Sequence, residues 1–173
     1  MKKHKAIAIP VTFVGDTPRF LTVRDKRFKE WIFVTGGCRR REIFTPIRTA
    51  LRELEEETRG VVSLKNGEYT SFTFNVKESP TVDLEYTVFI FFVEYSSIEQ
   101  TELVRKFNDE KYKMYTKKIH MKRTYDENDF MSFDTLPEFN SRRRWERIKH
   151  NVIENPEFYA CMTSLNRKTF SIK

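Results

Sequence analysis

The amino-acid sequence predicts a mixed α+β fold in which an amphipathic helix packs against a β-sheet. Short runs rich in β-branched and aromatic residues lie on both sides of a segment whose apolar residues have helical spacing. Hydrophobic residues make up 39% of the 173 residues and 16 are Phe, a composition that forms a packed core and excludes a mainly disordered chain. This length is typical of one domain, so we expect residues 1–173 to form a single domain.

The first three predicted strands lie before the helical segment. Residues 6–14 and 19–23 are β-rich, and the Gly-Asp pair between them predicts a hairpin. After a charged turn, residues 31–34 form a third short strand. This strand leads directly to Gly36 and Gly37, so a glycine pair lies between the strand and the helix.

The helical segment has clear start and stop signals. Thr45 is a suitable N-cap and Pro46 a suitable first residue, because proline lacks the N–H that the first turn leaves unpaired. Gly60 is the natural residue to end the helix. The predicted core-facing stripe consists of Ile47, Leu51 and Leu54.

The second half of the chain predicts further strands and two helices. The elements are antiparallel strands at 69–76 and 85–93 joined near residues 79–80, a short helix at 97–107, a strand at 117–125, and a terminal helix at 140–153 with Trp145, Ile148 and Val152 inward.

Cysteine usage and hydropathy predict a soluble, cytoplasmic protein without a membrane partner. Only Cys38 and Cys161 occur, far apart, so neither a disulfide framework nor a zinc site is indicated. The basic N-terminus precedes an apolar run, but Pro10 and the lack of a small-residue cleavage site argue against a signal peptide. The apolar run at 87–93 is too short to span a bilayer as a helix.

One flank of the predicted helix carries the chemistry. Glu53, Glu56 and Glu57 fall within about one turn, and carboxylates this close repel one another unless cations join them. Oxygen-rich ligand sets of this kind suit Mg²⁺ or Mn²⁺. Arg52 precedes the first of these acids by one residue and Glu56 by four, so we expect it to hold a carboxylate in position.

A strand, a glycine pair, a loop and then Arg-Glu-Leu-Glu-Glu-Glu on a helix resemble the Nudix box of the Nudix hydrolases. The pattern of that family is a glycine, five residues, a glutamate, seven residues, then Arg-Glu-apolar-any-Glu-Glu-any-Gly-apolar. The resemblance covers roughly residues 6–93. It implies an α/β/α sandwich with a mixed central sheet, the catalytic helix packed on that sheet, and metal-dependent hydrolysis of a diphosphate linkage. The residues implied are Arg52, Glu53 and Glu56 in catalysis and Glu53, Glu56 and Glu57 as ligands of Mg²⁺ or Mn²⁺.

The sequence departs from this pattern in two places. Counted back from Arg52, the first glutamate of the pattern falls at Phe44, whereas the nearest acid is Glu42. We interpret this as a loop of altered length, which leaves Glu42 without an assigned role. The closing glycine is replaced by Arg59, with Gly60 one place later, which we interpret as a helix extended by one residue.

Charge suggests a phosphate-rich substrate. The chain has 32 Lys and Arg against 25 Asp and Glu, a net charge of +7. The leading hypothesis is hydrolysis of the cap or 5′ diphosphate of RNA. The alternatives are a diphosphoinositol polyphosphate or free nucleotide as substrate, and an inactive RNA-binding module. The expected phosphate-binding residues are Gly36, Gly37, Arg39, Arg40 and Arg41; further basic strips are Arg142, Arg143, Arg144, Arg147 and Lys149, and Lys111, Lys113, Lys117, Lys118, Lys122 and Arg123.

Two questions stay open at the level of sequence. A base of the substrate needs an aromatic partner, and the candidates are Trp31, Phe20 and Phe44. A further acid outside the box is common in the family that the sequence resembles, and the candidates are Glu85, Glu127 and Glu138. No oligomeric state is predicted.

Overall fold

The computed structural model describes residues 1–65, 69–116 and 123–165. The strands are β1 Lys2–Val14, β2 Thr17–Asp25, β3 Trp31–Ile32, β4 Val34–Gly37, β5 Tyr69–Ser79, β6 Val82–Phe92 and β7 Asn128–Asp134. The helices are α1 Pro46–Glu57, α2 Ser97–Thr116, α3 Leu136–Asn140, α4 Glu146–Ile148 and α5 Pro156–Leu165. Short 3₁₀ turns occupy Arg40–Glu42 and Arg123–Asp126, and a π-helical turn, Lys149–Ile153, follows α4.

The seven strands form one mixed sheet around β1. Its main path runs β3-β2-β1-β6-β5, while β4 pairs with β1 and β7 pairs with β2. The β1–β6 pair is parallel and the other strand pairs are antiparallel. Because β4 lies beside the first half of β1, with Ala6 opposite Gly36, the glycine pair is held at the sheet instead of in a free loop.

A separate hydrophobic core lies on each face of the sheet. In β1, Ile7 and Ile9 belong to one core and Ala6 and Ala8 to the other, because successive side chains of a strand point to opposite faces. The first core takes its helical residues from α3 to α5 and the π-helical turn, and the second takes them from α1 and α2. The chain is therefore an α/β/α sandwich, as predicted.

Helix α1 begins where the sequence predicts, with Thr45 as N-cap and Pro46 as first residue. Its predicted core-facing stripe is confirmed: Leu54 is fully buried, and the half-buried Ile47 and Leu51 pack against the same core. The buried positions of α1 are Thr49, Ala50, Leu54, Glu56 and Glu57. The helix thus turns two carboxylates, as well as apolar side chains, away from solvent.

The C-terminal third differs most from the sequence prediction. Of the strand predicted at 117–125, residues 117–122 lie outside the described residues, and residues 123–125 belong to a 3₁₀ turn. The strand of this part of the chain is β7, which begins later, at Asn128. The helix predicted at 140–153 begins only at Glu146, and α5 was not predicted. Ile148 and Val152 are fully buried, as expected. Among the helices of the described ranges, none has the length and apolar character needed to cross a membrane.

Candidate active site

Gly36 lies directly against the carboxylate of Glu53. A Cβ atom built on Gly36 would overlap the Glu53 carboxyl group, so any other residue here would displace that acid. Gly37, the next residue, leaves open space around its own Cβ position and uses its carbonyl oxygen to accept a hydrogen bond from Arg52 Nη2 at 3.1 Å. The two glycines therefore have different roles: the first makes room, and the second anchors the arginine.

Arg52 joins the acids of this region. Its Nε and Nη2 donate to the two oxygens of Glu42 at 3.0 and 2.9 Å, a bidentate pair. Its Nη1 donates to Glu53 Oε1 at 2.9 Å and to Glu56 Oε2 at 3.4 Å. The expectation that Arg52 holds a carboxylate in position is met by three carboxylates at once.

Glu42 has the structural role that the sequence interpretation left open. It is 8% exposed, and its Oε1 also accepts hydrogen bonds from Thr49 Oγ1 at 3.0 Å and from the Arg39 N–H at 2.9 Å. The hydrogen bonds from Arg52, followed by those from Arg39 and Thr49, outweigh burial and hold the pKa of Glu42 at about 2. One signal was present in the sequence: Gly36, five residues and Glu42 satisfy the first half of the box, so the extra residues follow Glu42.

Negative charge is crowded and partly desolvated at Glu53 and Glu57. Burial, opposed by Arg52 and reinforced by Glu56 and Glu127, raises the pKa of Glu53 to about 7. Glu57 lies deeper, and burial followed by the charges of Glu53 and Glu127 raises its pKa well above the usual range. Its Oε2 accepts the Thr35 N–H at 3.1 Å. Such crowding favours a cation at this face.

The donor set fits a hard divalent cation. All of its ligand atoms are carboxylate oxygens, and Mg²⁺ is commonly bound by one or two protein carboxylates, with water and substrate phosphate completing the shell. Within the three described ranges, no group of three or more His, Cys, Asp or Glu side chains converges in the geometry of a metal cage. Glu53 and Glu56 meet on Arg52 Nη1 instead, so a bound ion would share these carboxylates with the arginine.

The structure distinguishes the three candidate acids outside the box. Glu85 pairs with His4, at 3.0 Å from Nδ1, and Glu138 caps α3 through Thr135. The charge of Glu127, in contrast, acts on both Glu53 and Glu57. Its neighbour in the chain, Asn128, donates from Nδ2 to the carbonyl oxygen of Glu57 at 3.2 Å. Of the three, Glu127 is the acid next to the carboxylates of α1.

Arg59 does not extend the helix, and that prediction is wrong. Helix α1 ends at Glu57, and Arg59 itself has a φ of 57°, the left-handed conformation that glycine adopts most easily. Its side chain turns inward, and Arg59 is only 3% exposed. The guanidinium donates to the carbonyl oxygens of Phe107 at 3.1 Å, Tyr125 at 3.3 Å and Asn128 at 2.6 Å.

A cleft opens beside Glu127, and no motif of the sequence indicates it. It lies between the β2–β3 connection and the segment before β7. Phe28 is 58% exposed at this cleft, and the Arg27 guanidinium lies 5.0 Å from the centre of its ring. The lining residues are Asp25, Lys26, Arg27, Phe28, Thr124, Asp126 and Glu127.

The predicted phosphate-binding arginines lie at the rim of this region. Arg39, Arg40 and Arg41 are exposed, and Arg39 Nη2 lies 3.7 Å from Glu56 Oε1. The second basic strip does not form a continuous exposed surface, because Arg142 pairs with Asp134 and Arg147 donates to the Tyr86 hydroxyl. Half of the third strip, Lys117, Lys118 and Lys122, lies outside the described residues.

The three aromatic candidates have different surroundings. Phe20 is fully buried in the core. Trp31 is half-buried, with the Arg142 guanidinium 3.7 Å from its ring centre and the Phe130 ring stacked beside it. Phe44 is 95% exposed. Only Phe44 among the three leaves its ring open to a ligand.

The sandwich fold, with an acid-rich helix packed against a glycine pair, is the architecture of a known class of hydrolases. The model of the NUDIX domain matches residues 2–139. The chain therefore belongs to the Nudix family, and as a member it is assigned pyrophosphohydrolase activity. Nudix hydrolases generally use divalent metal ions such as Mg²⁺ or Mn²⁺. The curated proteins contain no match to this sequence.

Solved structures show the same fold at low sequence identity. The NUDIX domain of Shewanella oneidensis NrtR complexed with ADP ribose aligns with a TM-score of 0.56 at 10% identity, covering 85% of this chain and 81% of that one. A NUDIX hydrolase from Listeria monocytogenes gives 0.52 at 15%, covering 86% and 95%. The C-terminal domain of mouse MUTYH, in its complex with human PCNA, gives 0.53 at 12%, covering 99% and 94%. At these identities the likeness concerns the fold alone.

Proposed function

We propose that this Nudix hydrolase cleaves a phosphoanhydride at the 5′ end of RNA, either in the cap or in a 5′ diphosphate. The observation that carries the proposal is a rim of exposed arginines, Arg39 to Arg41, next to the crowded carboxylates of α1. Guanidinium groups bind phosphates bidentately, and several in a row suit a long polyanion better than a small sugar nucleotide.

The carboxylates of α1 bind Mg²⁺ or Mn²⁺ in this proposal, and the ligands are Glu53, Glu56 and Glu57. The bound ion would neutralise substrate phosphates and activate water. Gly36 makes room for Glu53, and Arg52, held by Glu42, fixes the directions of Glu53 and Glu56. Arg52 thus acts in catalysis by positioning carboxylates that would otherwise repel one another.

Glu127 is the proposed acid outside the box. It accepts the proton of the attacking water or completes the ligand set, because its charge acts directly on Glu53 and Glu57. The arginine rim and the backbone of Gly36 and Gly37 hold the substrate phosphates. We assign the nucleotide on the other side of the cleaved bond to the cleft beside Glu127, where Phe28 offers an exposed ring.

Two alternatives use the same site. A diphosphoinositol polyphosphate or a free nucleotide would be held by the same arginines, and the NrtR domain was solved with ADP ribose, which also contains a diphosphate. An inactive RNA-binding module would keep the arginine rim without turnover. Turnover is favoured because the chain keeps Arg52, Glu53, Glu56 and Glu57 at the positions of the box and holds its first glutamate in place as Glu42.

One assay separates these functions. The full chain is incubated with Mg²⁺ or Mn²⁺ and, separately, with cap-labelled RNA, nucleoside triphosphates and diphosphoinositol phosphates. We expect release of labelled cap diphosphate. If only another substrate is hydrolysed, the RNA proposal is wrong; if RNA binds and no metal-dependent product forms, the inactive module is correct.

The variant Glu56→Gln tests the metal face. We expect at least a 100-fold loss of kcat with little change in the melting temperature, because the carboxylate is assigned to metal and not to the apolar core. The matched control is Glu55→Gln, an exposed acid on the same helix. Equal activity of the two variants would reject the assignment of the ligands.

We also propose that the chain forms one domain. Although the family match ends at residue 139, buried residues of α4, the π-helical turn and α5 belong to the same core as β1 and β6, which supports this expectation.

A further inference from the structure

The loop before α1 presents an aromatic ring within a group of cations. Phe44 is 95% exposed, and Arg40, Arg41 and Arg48 are exposed around it in the sequence. We call these four residues the Arg-Phe rim. A single exposed apolar side chain is ordinary on a protein surface, but this one has exposed arginines three and four residues before it and four residues after it in the sequence.

The cations of the rim are available to a ligand. Across the described part of the chain, Arg40, Arg41 and Arg48 make no ion pair with a carboxylate, whereas Arg39 contacts Glu56 and Arg52 is fully occupied. Three guanidinium groups without carboxylate partners create a local positive potential.

Hydrogen bonds to the buried Glu42 hold the loop that carries the Arg-Phe rim in place. Glu42 is buried within the same loop, where it accepts hydrogen bonds from Arg52, Thr49 and the backbone N–H of Arg39. The loop has two more residues after Glu42 than the box pattern, and Phe44 stands where that pattern has its glutamate. The acid is thus retained inside, and the extra length carries the ring to the surface.

We infer that the Arg-Phe rim binds the single-stranded RNA chain that continues from the cleaved 5′ end. Arg40, Arg41 and Arg48 contact successive phosphates, and Phe44 stacks on a base. This combination of backbone cations and an open aromatic face is the means by which proteins hold single strands. An inositol phosphate offers no base for Phe44. The inference rests on the proposed function for its account of the 5′ end, but RNA binding is measurable without turnover.

The first test measures stacking. The full chain binds a fluorescently labelled, uncapped single-stranded RNA in EDTA, so that metal-dependent cleavage does not occur. The change Phe44→Ala should weaken binding roughly 5- to 150-fold, the range for loss of one stacked base, and Phe44→Trp should restore it. Tyr112→Ala is the matched control, because Tyr112 is an aromatic residue that is 66% exposed on a different element, α2. Equal affinity of Phe44→Ala and the parent chain would overturn the inference.

The second test measures phosphate contacts. Each contact to a single strand contributes about 0.7 to the slope of log affinity against log salt concentration, so changing Arg40, Arg41 and Arg48 together to Ala should lower the slope by about 2. The exposed cation Lys106 of α2, changed to Ala, is the control for net charge. An unchanged slope in the triple variant would show that the rim does not contact phosphates.

The two proposals fail in different ways. RNA binding that depends on Phe44 without release of labelled cap diphosphate would reject the proposed function and keep the inference. Release of labelled cap diphosphate, together with an RNA affinity that no change in the Arg-Phe rim affects, would reject the inference and keep the proposed function. Binding of inositol hexakisphosphate that weakens equally with Phe44→Ala would show that the loss is not base stacking, and would also overturn the inference.

Discussion

At the scale of single residues, Glu42 determines how Arg52 is oriented toward Glu53 and Glu56. The change Glu42→Gln keeps one acceptor oxygen and replaces the other with an NH₂ donor, so Arg52 loses its bidentate partner, and Thr49 and the Arg39 N–H lose a charged acceptor. We expect Glu42→Gln to lower the free energy of unfolding by about 2 kcal/mol, since hydrogen bonds to charged groups are the stronger ones. It should also lower kcat, because Arg52 is then free to turn away from Glu53. Urea unfolding at neutral pH and steady-state kinetics measure both, with Glu55→Gln as control; an unchanged stability and kcat would contradict the role.

Asp129 makes the stability of the protein depend on pH. Burial alone would raise its pKa, but hydrogen bonds from Arg24 and Lys29 outweigh burial and lower the pKa to about 2, against 3.8 ordinarily. The charged form is therefore stabilised by folding. The contribution is complete above the unfolded-state pKa near 4 and is lost as the pH falls through about 2; it amounts to about 2 kcal/mol at neutral pH. Unfolding of Asp129→Asn should show a shallower loss of stability between pH 4 and 2 than the parent chain. Parallel curves would exclude this assignment.

The individual residues were predictable to different degrees. Arg52, Glu53, Glu56 and Glu57 follow from spacing on one helix, because local geometry determines which side chains share a face. The role of Glu42 was not predictable by counting back from Arg52, because the two extra residues of the loop lie between Glu42 and the helix. The proximity of Glu127 depends on how β7 pairs across the sheet, and no local pattern contains that information.

At the scale of elements, Arg59 ties the end of α1 to two other segments. Its guanidinium holds carbonyl oxygens at the middle of α2 and on both sides of Glu127. The change Arg59→Gly relieves the left-handed backbone by about 1 kcal/mol but leaves buried carbonyl groups without a donor, at about 1–3 kcal/mol. We expect a net loss of stability of up to about 2 kcal/mol, measured by urea unfolding.

The same variant tests whether Arg59 positions Glu127. If it does, Arg59→Gly should lower kcat more than it raises KM, because the arginines proposed to bind substrate phosphates, Arg39 to Arg41, are unchanged. Arg59→Lys keeps a cation and should recover part of kcat. Unchanged stability would show that Arg59 and the glycine that closes the Nudix box pattern are equivalent for folding. Unchanged kcat would show that Arg59 does not position Glu127.

The elements were predictable where their signals are local. The hairpin of β1 and β2, the cap of α1 and the β5–β6 turn have such signals. The start of α3 also has one: Thr135 and Glu138, three residues apart, form a capping box in the structure. Strand β7 is short and carries polar residues at its ends and in its middle, so its identity comes from pairing with β2.

At the scale of the whole molecule, the C-terminal helices complete one core of the sandwich. Phe158 is fully buried and lies 5.7 Å, between ring centres, from Phe20 of β2. We expect Phe158→Ala to destabilise the chain by about 3–5 kcal/mol, the usual result of such a cavity. Because we propose one domain, the entire unfolding transition should move as a single step, followed by circular dichroism and by tryptophan fluorescence. Separate transitions for the two probes would divide the chain into two domains.

The layered architecture was predictable from strands on both sides of an amphipathic helix, but the order of the strands was not. Strand β1 pairs with β2 and β4, which are near it in the sequence, and with β6, which is far from it. No local pattern of the sequence specifies the pairing with β6. The arginines of the proposed substrate-binding rim, Arg39 to Arg41, were visible in the sequence, whereas their exposure was not.

The parallel pairing of β1 with β6 has a consequence for how the protein is made. Lys2 pairs with Asp83 and Val11 with Phe92, so partners in this ladder are a constant 81 residues apart. A growing chain on the ribosome therefore synthesises β1 long before its central neighbour exists. Closing so large a loop is slow compared with forming α1 or the first hairpin. The acid-rich helix is thus complete early, whereas the sheet against which it packs is completed only after β6 has emerged.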